Sequence, residues 1–361
     1  MSSTWGNMIK LSLFGTSHGP AVGFTLDALP SGQYIDLKRL RAFTLRRAPG
    51  RAAWTSERRE EDEPSFLSGL KDGFTTGAPL AALIENKNAD TAEYINRHNI
   101  PRPGHADFTA RARYGEQAEL SGGGHISGRL TAPLCLAGGI ALQILEQRGI
   151  FVGGHIYAVR DIADAPYDPA GLTKERLLLA GKKDFPVNDD KAGERMRQAI
   201  AAARADGDSL GGVIECAALG LPAGLGSPLF GGVENRLAQI IFAIPALTGL
   251  EFGAGFAAAG LLGSQNNDPF VIQQGQIRTE SNNHGGVLGG ISSGMPLILR
   301  AAVKPTPSIA KEQRSVDVSA MKETAFTVQG RHDPCIAPRA VPCVEAAMAL
   351  ALLDMIMEQG L

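Results

Sequence analysis

Two kinds of apolar pattern alternate along the chain, and each predicts a different kind of element. Short stretches in which apolar and small or polar residues take turns read as strands: Lys10-Leu11-Ser12-Leu13-Phe14, Val22 to Leu26, Gly211 to Ala217, and Leu297 to Val303. Longer stretches with apolar residues at helical spacing read as helices. One follows Asp36 as its N-cap and carries Leu37, Leu40 and Phe43 on one face. A long one runs from about Leu130 to Gln147 with Leu134, Ala137, Ala141, Ile144 and Leu145 in phase. Others cover Asp189 to Ala203, Val233 to Ala243, and about Val341 to Met357. Between these elements lie loops rich in glycine and proline, at Gly15 to Gly19, Pro101 to Asp107, Ser121 to Arg129, Ser281 to Gly294, Lys304 to Ser308 and Arg331 to Pro334. There is no repeat, no low-complexity tract and no linker-like stretch. The pattern predicts one large mixed α/β domain, or two intimately packed lobes.

Composition narrows the class. With 44% hydrophobic and 20% charged residues in 361, the chain can build a sizeable core, which excludes wholesale disorder. Glycine is in excess, 44 residues without a Gly-X-Y period, and points to many positive-φ positions or close approaches of a ligand to the backbone. The formal charge of −2 calls for neither nucleic acid nor an anionic membrane as partner, so any basic site is local. Four cysteines without a CxxC pair exclude a disulfide scaffold and fit a reducing cytoplasm. The N-terminus lacks the apolar segment of a signal peptide. The apolar tract Ile240 to Gly263 is broken by Pro245, Thr248, Glu251 and glycines, so no membrane span is expected.

Several loops carry candidate chemistry. Gly123 to Arg129 has the GxxxxG spacing of a phosphate loop, but Arg129 and Leu130 stand where such a loop needs Lys and Ser or Thr. That excludes nucleotide hydrolysis and leaves anion binding or an ordinary helix-entry turn. Four histidines, His18, His105, His125 and His284, sit in glycine-containing loops, where catalytic groups are commonly placed. No HxxxH, HExxH or His-Cys spacing suggests a metal, and none is expected. The arginines between Arg41 and Arg59 are either a solvated face or a clamp for a multiply charged anion. Asp333, near Arg331, is either half of a structural ion pair or a base held in place. Ser17-His18 lacks the GxSxG elbow of a serine hydrolase. Residue chemistry alone thus indicates an enzyme acting on a phosphorylated metabolite, without naming the reaction.

Taken together, these segments resemble the chorismate synthases over nearly the whole chain. Phe14-Gly15-Thr16-Ser17-His18-Gly19, Arg102-Pro103-Gly104-His105-Ala106-Asp107, Gly122 to Thr131, Asn283 to Gly294, Lys304 to Ile309 and Arg331 through Glu345 follow the family's motifs in order. The resemblance implies a single domain over residues 1–361, an α+β β-α-β sandwich in which antiparallel sheets flank a helical layer, assembled as a homotetramer in the cytoplasm. It implies conversion of 5-enolpyruvylshikimate 3-phosphate into chorismate and phosphate, a 1,4-elimination that needs reduced FMN (FMNH2) although it is redox-neutral. His18 would assist the leaving phosphate, His105 would protonate or polarise the reduced flavin, and Asp333 would take part in removing the C6 proton. Flavin contacts carry over to His125, Ile126 and Ser127, to Pro245 and Ala246, to Gly289, to Lys304, Pro305, Thr306, Pro307 and Ser308, and to Arg331. Arg47, Arg102 and Arg129 would meet the substrate's phosphate and carboxylates.

The chain departs from the family pattern in places. Thr16 stands for a usual Glu, His125-Ile126-Ser127-Gly128-Arg129 for Arg-Ser-Ser-Ala-Arg, and Ala53 for an arginine that Arg51 is placed to replace. Fungal relatives also reduce flavin with NADPH; the compact length of this chain points to an external flavin reductase instead. The competing reading is a non-catalytic flavin or phosphate-metabolite binding protein. It is disfavoured because His18, His105, Arg129, Arg331 and Asp333 are all retained.

Overall fold

The computed structural model of the chain describes residues 3–50, 54–55, 62–87, 99–327 and 332–360. Among them are eight α-helices: α1 (Leu37–Arg47), α2 (Asp107–Tyr114), α3 (Thr131–Gln147), α4 (Lys174–Leu179), α5 (Asp190–Ala205), α6 (Val233–Ile241), α7 (Gly263–Asn266) and α8 (Ala337–Glu358). Two antiparallel sheets enclose a helical layer. The first has the order Thr4–Trp5, Lys10–Gly15, Ala21–Asp27, Leu80–Glu85, Pro64–Ser68. The second runs Leu247–Phe252, Leu297–Val303, Gly212–Leu219, Phe151–Val159, Ile162–Ala163. Helix α3 packs on the first sheet and α8 on the second, with α1 against both helices. This is the β-α-β sandwich implied by the family motifs.

The reason lies in the two central helices. Buried residues make up 19 of the 22 in α8 and 14 of the 17 in α3, and a helix apolar on all sides has to be covered on all sides. Helix α8, and α3 together with the turns from Ser121 that lead into it, are long and apolar enough to cross a membrane, yet here sheets and neighbouring helices cover them. They also touch each other. A Cβ placed on Gly138 would lie 2.3 Å from Cβ and 2.4 Å from Cα of Ala346, so the helix backbones meet where both residues are minimal.

Buried charges tie the layers together. Glu345 of α8 accepts both guanidinium nitrogens of Arg46 in α1 (2.6 and 2.9 Å) and the amide of Gly154 in the second sheet (2.8 Å). Asp354, fully buried near the end of α8, accepts the amides of Asn7, Met8 and Ile9 (2.7 to 3.1 Å) and pairs with Arg236 of α6. The segment entering the first sheet is thereby fastened to the last helix.

Most of the expected elements form with their boundaries within a few residues. Helix α8 begins earlier than Val341, at Ala337, because Pro338 sits in the first turn, where a missing N–H costs nothing, and Pro342 follows close behind it. Helices α2, α4 and α7 are short and carry too little periodicity to be read from the sequence.

The close approach of α3 and α8 can be tested against its neighbour. Gly138→Ala should destabilise the fold by about 1–3 kcal/mol despite alanine's better helix propensity, since the clash is with backbone. Gly139→Ala should cost less, because its nearest neighbours are the movable ends of Leu40 and Phe43 at 2.6 and 3.0 Å. Equal losses in urea unfolding would contradict this account.

Candidate active site

The glycine-rich loops converge at one end of the helical layer, around a cavity of about 300 Å³. Its lining includes His18, His105 and Asp333, and also Arg47, Arg102 and Arg129. All six residues expected to do chemistry or to bind substrate therefore face one space.

Each is placed by local backbone geometry. Gly15 ends its strand at φ 91°, and the following turn presents His18. Ser17 binds the loop opposite: its hydroxyl lies 3.1 and 3.0 Å from the carbonyls of Ser121 and Gly122, and its amide donates to Gly124 O. The Ser17 hydroxyl also lies 3.1 Å from His18 Nδ1, but its place against the two carbonyls makes it a fastening for the loop. Gly122, at φ 60°, has to be glycine, since a Cβ there would fall 1.9 Å from the His18 ring.

The three glycines Gly122 to Gly124 all take positive φ, and Ser127 caps the short turn that leads into α3 through a 3.3 Å bond from the Arg129 amide. The amides of Gly123, Ser127 and Leu130 donate to Leu120, Gly124 and Ser127 carbonyls. Three amides that a phosphate loop would turn toward its anion are thus engaged within the turn itself. What the lining offers an anion is instead the cationic side chains of Arg47, Arg102 and Arg129.

Those cations are held by carboxylates. Asp62 accepts from Arg47 (2.9 Å) and from Arg129, and all three are buried. Arg47 also bonds Thr131 Oγ1 (2.9 Å), and Arg129 Nε reaches Asn86 Oδ1 (3.0 Å). Both guanidiniums lower the Asp62 pKa against the opposing effect of burial. Arg102 forms a two-point pair with Asp107 (2.7 and 2.8 Å).

His105 sits where two loops lean on each other. Gly104, at φ 73°, brings its backbone so close to Pro307 that a Cβ would be 2.7 Å from that ring, and Lys304 Nζ donates to Gly104 O (2.6 Å). His105 Nε2 meets Ser308 Oγ at 2.7 Å. Burial, then the charge of Arg102, push the His105 pKa down to about 4, against the pull of Asp107. Its imidazole is neutral at pH 7. Asp333 pairs with Arg339, whose Nε also donates to the Arg47 carbonyl (2.8 Å).

Of the remaining expected residues, Ser127, Pro245, Thr306 and Ser308 line the cavity. His125, Ile126, Ala246, Lys304, Pro305 and Pro307 are their chain neighbours outside that lining. The His125 ring is engaged on both sides away from it, Nδ1 donating to Gly15 O (2.8 Å) and Nε2 bonded to Ser3 Oγ (2.6 Å). Gly289 is in the hairpin turn between Val287–Leu288 and Ile291–Ser292. His284 holds its own loop, bonded to Asp268 through Nδ1 and to Ser293 Oγ (3.1 Å) through Nε2. Arg331, Arg51 and Ala53 lie outside the described residues. Sequence reasoning missed the roles of Asp62 and Arg339. The only trace of Asp62 was the acidic run Glu60 to Glu63 directly after two arginines, and Arg339 is separated from Asp333 by the start of α8.

The lining fits a flat, polar-edged aromatic group such as a flavin. Ile244, Pro245, Ile336 and Ala340 give apolar surface, and Thr306 Oγ1 is buried in the lining with no hydrogen-bond partner among the described residues, a site that a ligand's polar atom would satisfy.

Known proteins point the same way. A model of the family described as chorismate synthase matches residues 9–357. The chain is 44% identical over 365 residues to a chorismate synthase of Lancefieldella parvula, covering 98% of this chain and 96% of that one. It is 46% identical over 363 residues to one from Dehalococcoides mccartyi, covering 100% and 98%. A crystal structure of a chorismate synthase superposes with a TM-score of 0.77 at 26% identity, over 98% of this chain and 93% of the other.

Two measurements test the electrostatics. Asp62→Asn leaves two buried guanidiniums facing each other and should cost about 3 kcal/mol of stability in urea unfolding at pH 7; a loss under about 1 kcal/mol would mean solvent already neutralises them. In ligand-free protein, His105 should titrate near pH 4 by NMR. Its folded pKa lies below the unfolded ~6.5, so the unfolded chain binds more protons between those values and stability should fall as pH drops from about 6.5 toward 4. A midpoint above 6 would contradict the burial of this ring.

Proposed function

The chain belongs to the chorismate synthase family, and from that premise we propose that it is a lyase converting 5-enolpyruvylshikimate 3-phosphate into chorismate and phosphate with reduced FMN as cofactor. The observation that carries this reading is the meeting of Arg47, Arg102 and Arg129 with His18, His105 and Asp333 around one cavity. A substrate with a phosphate and two carboxylates needs such a set of guanidiniums, which bind oxyanions through paired N–H groups.

Ser127, Pro245, Thr306 and Ser308 would hold the flavin, with Thr306 Oγ1 supplying an unspent hydrogen-bonding group. The chemistry supplied by the bound cofactor is transient electron donation while phosphate leaves. His18 protonates the departing phosphate. Asp333, oriented by Arg339, accepts the proton from C6. His105, neutral at pH 7 in the unliganded chain, acts as a hydrogen-bonding, polarising group, with Ser308 fixing its ring. Ile244, Pro245, Ile336 and Ala340 give the cavity an apolar part of its wall, which lowers the water content next to the reacting atoms.

The whole chain is proposed to act as one domain in a cytoplasmic homotetramer, supplied with reduced flavin by an external reductase. Large exposed apolar side chains are available for assembly: Phe230 is 91% exposed, Phe256 86% and Ile272 82%.

An anaerobic assay with 5-enolpyruvylshikimate 3-phosphate and chemically reduced FMN, following chorismate absorbance, decides between this enzyme and a protein that only binds flavin. Turnover without net flavin oxidation is expected, and Asp333→Asn and His105→Ala should each lower kcat by about 10²–10⁴ with smaller changes in KM. Binding of both ligands without product would overturn the proposal.

A further inference from the structure

Cys135 and Cys343 face each other across the contact between α3 and α8. Their sulfurs are 3.7 Å apart, with the Cys135 S–H donating. Three residues further along each helix, Gly138 and Ala346 bring the two backbones into contact. The same step on both helices shows that they run side by side in parallel, so the thiols sit on helices already held as close as helices can come. Disulfides need the two Cα atoms within about 7 Å and side chains that point toward each other. Cys343 also borders the active cavity, whereas Cys135 lies wholly behind it. Cys216 and Cys335 are buried and form no such pair with either.

We propose that Cys343 and Cys135 form an oxidisable pair, in which a small peroxide entering the cavity converts the two thiols into a disulfide in its wall. The sulfur of Cys343, as thiolate, attacks the peroxide O–O bond and becomes a sulfenic acid, with hydroxide leaving. Cys135 sulfur then attacks that sulfur, the S–S bond forms, and the second oxygen leaves as water together with the Cys135 proton. Two thiols and one hydrogen peroxide thus give one disulfide and two waters. The order of events follows from access to the cavity, and the surroundings of the two thiols agree with it. The hydrogen bond from Cys135 and the charge of Arg47 lower the Cys343 pKa against burial, while burial raises that of Cys135. Because Cys343 borders the cavity and Cys135 does not, Cys343 is the attacking thiol and Cys135 the resolving one. The bond would draw together the first turns of α3 and α8, which also present Thr131, Arg339 and Ala340 to the cavity.

The test uses the native chain. Reduced protein is exposed briefly to dilute hydrogen peroxide, unfolded in guanidinium with an alkylating agent, and weighed intact. The expected result is alkylation at two of the four cysteines, a peptide cross-linked between Cys135 and Cys343, and return of all four thiols after dithiothreitol. Cys335→Ser should still form the cross-link, and Cys343→Ser should keep its remaining three thiols free. Four alkylated thiols in the treated wild type, oxygen added to single sulfurs without a cross-link, or a bridge involving Cys216 or Cys335 would overturn the proposal.

Discussion

Two helices without a polar face must be hidden on every side, and the rest of this architecture follows from that requirement. One sheet can cover one side of α3 and another one side of α8, but the sides facing each other can be hidden only by the helices themselves. The absence of a side chain at Gly138 makes that contact possible. Because the helices are parallel, their N-termini end at the same edge of the layer, and the cavity lies there, bounded by Thr131 from α3 and by Arg339, Ala340 and Cys343 from α8. Two helix dipoles thus add positive potential to a site already rich in guanidinium groups.

Among the described residues, the arginines of the cavity are each held by a carboxylate before any ligand arrives. Arg47, Arg102, Arg129 and Arg339 are matched by Asp62, Asp107 and Asp333, each pair bonded directly. The arrangement keeps buried cations from being left alone, which would be costly, and it fixes the arginine planes in advance. Asp62 is the hinge of this balance. It holds two arginines from opposite sides, one at the end of α1 and one just before α3, and so sets their separation.

The sequence was informative where periodicity or turn chemistry leaves a local mark. Every long helix was legible because its apolar spacing is regular, and the cavity loops were legible because Gly15, Gly104 and Gly122 are needed at positive φ. The candidates His18 and His105 stood out because they sit in such loops, while Asp333 stood out beside Arg331 and through the family motif. What stayed hidden depends on pairing across distance. Nothing local to Asp62 announces Arg47 and Arg129 as partners, and nothing about His125 announces that its ring turns toward Gly15 and Ser3. Arg339 was legible as part of a motif but not as the partner of Asp333, since the turn into α8 folds the chain back between them.

The clasp at Asp354 bears on how the chain comes into being. The amides of Asn7, Met8 and Ile9 find their acceptor 345 to 347 residues downstream. At a synthesis rate of about 5–20 residues per second, that carboxylate emerges roughly 17–70 s after the residues it secures. The opening strands of the first sheet therefore spend this interval unlatched, and α8, the helix with least tolerance for water, emerges after the seven other helices described above. The sandwich cannot close from its beginning. It closes only after α8 has been made, when that helix joins α3 in the middle layer and supplies the fastening of the first strand.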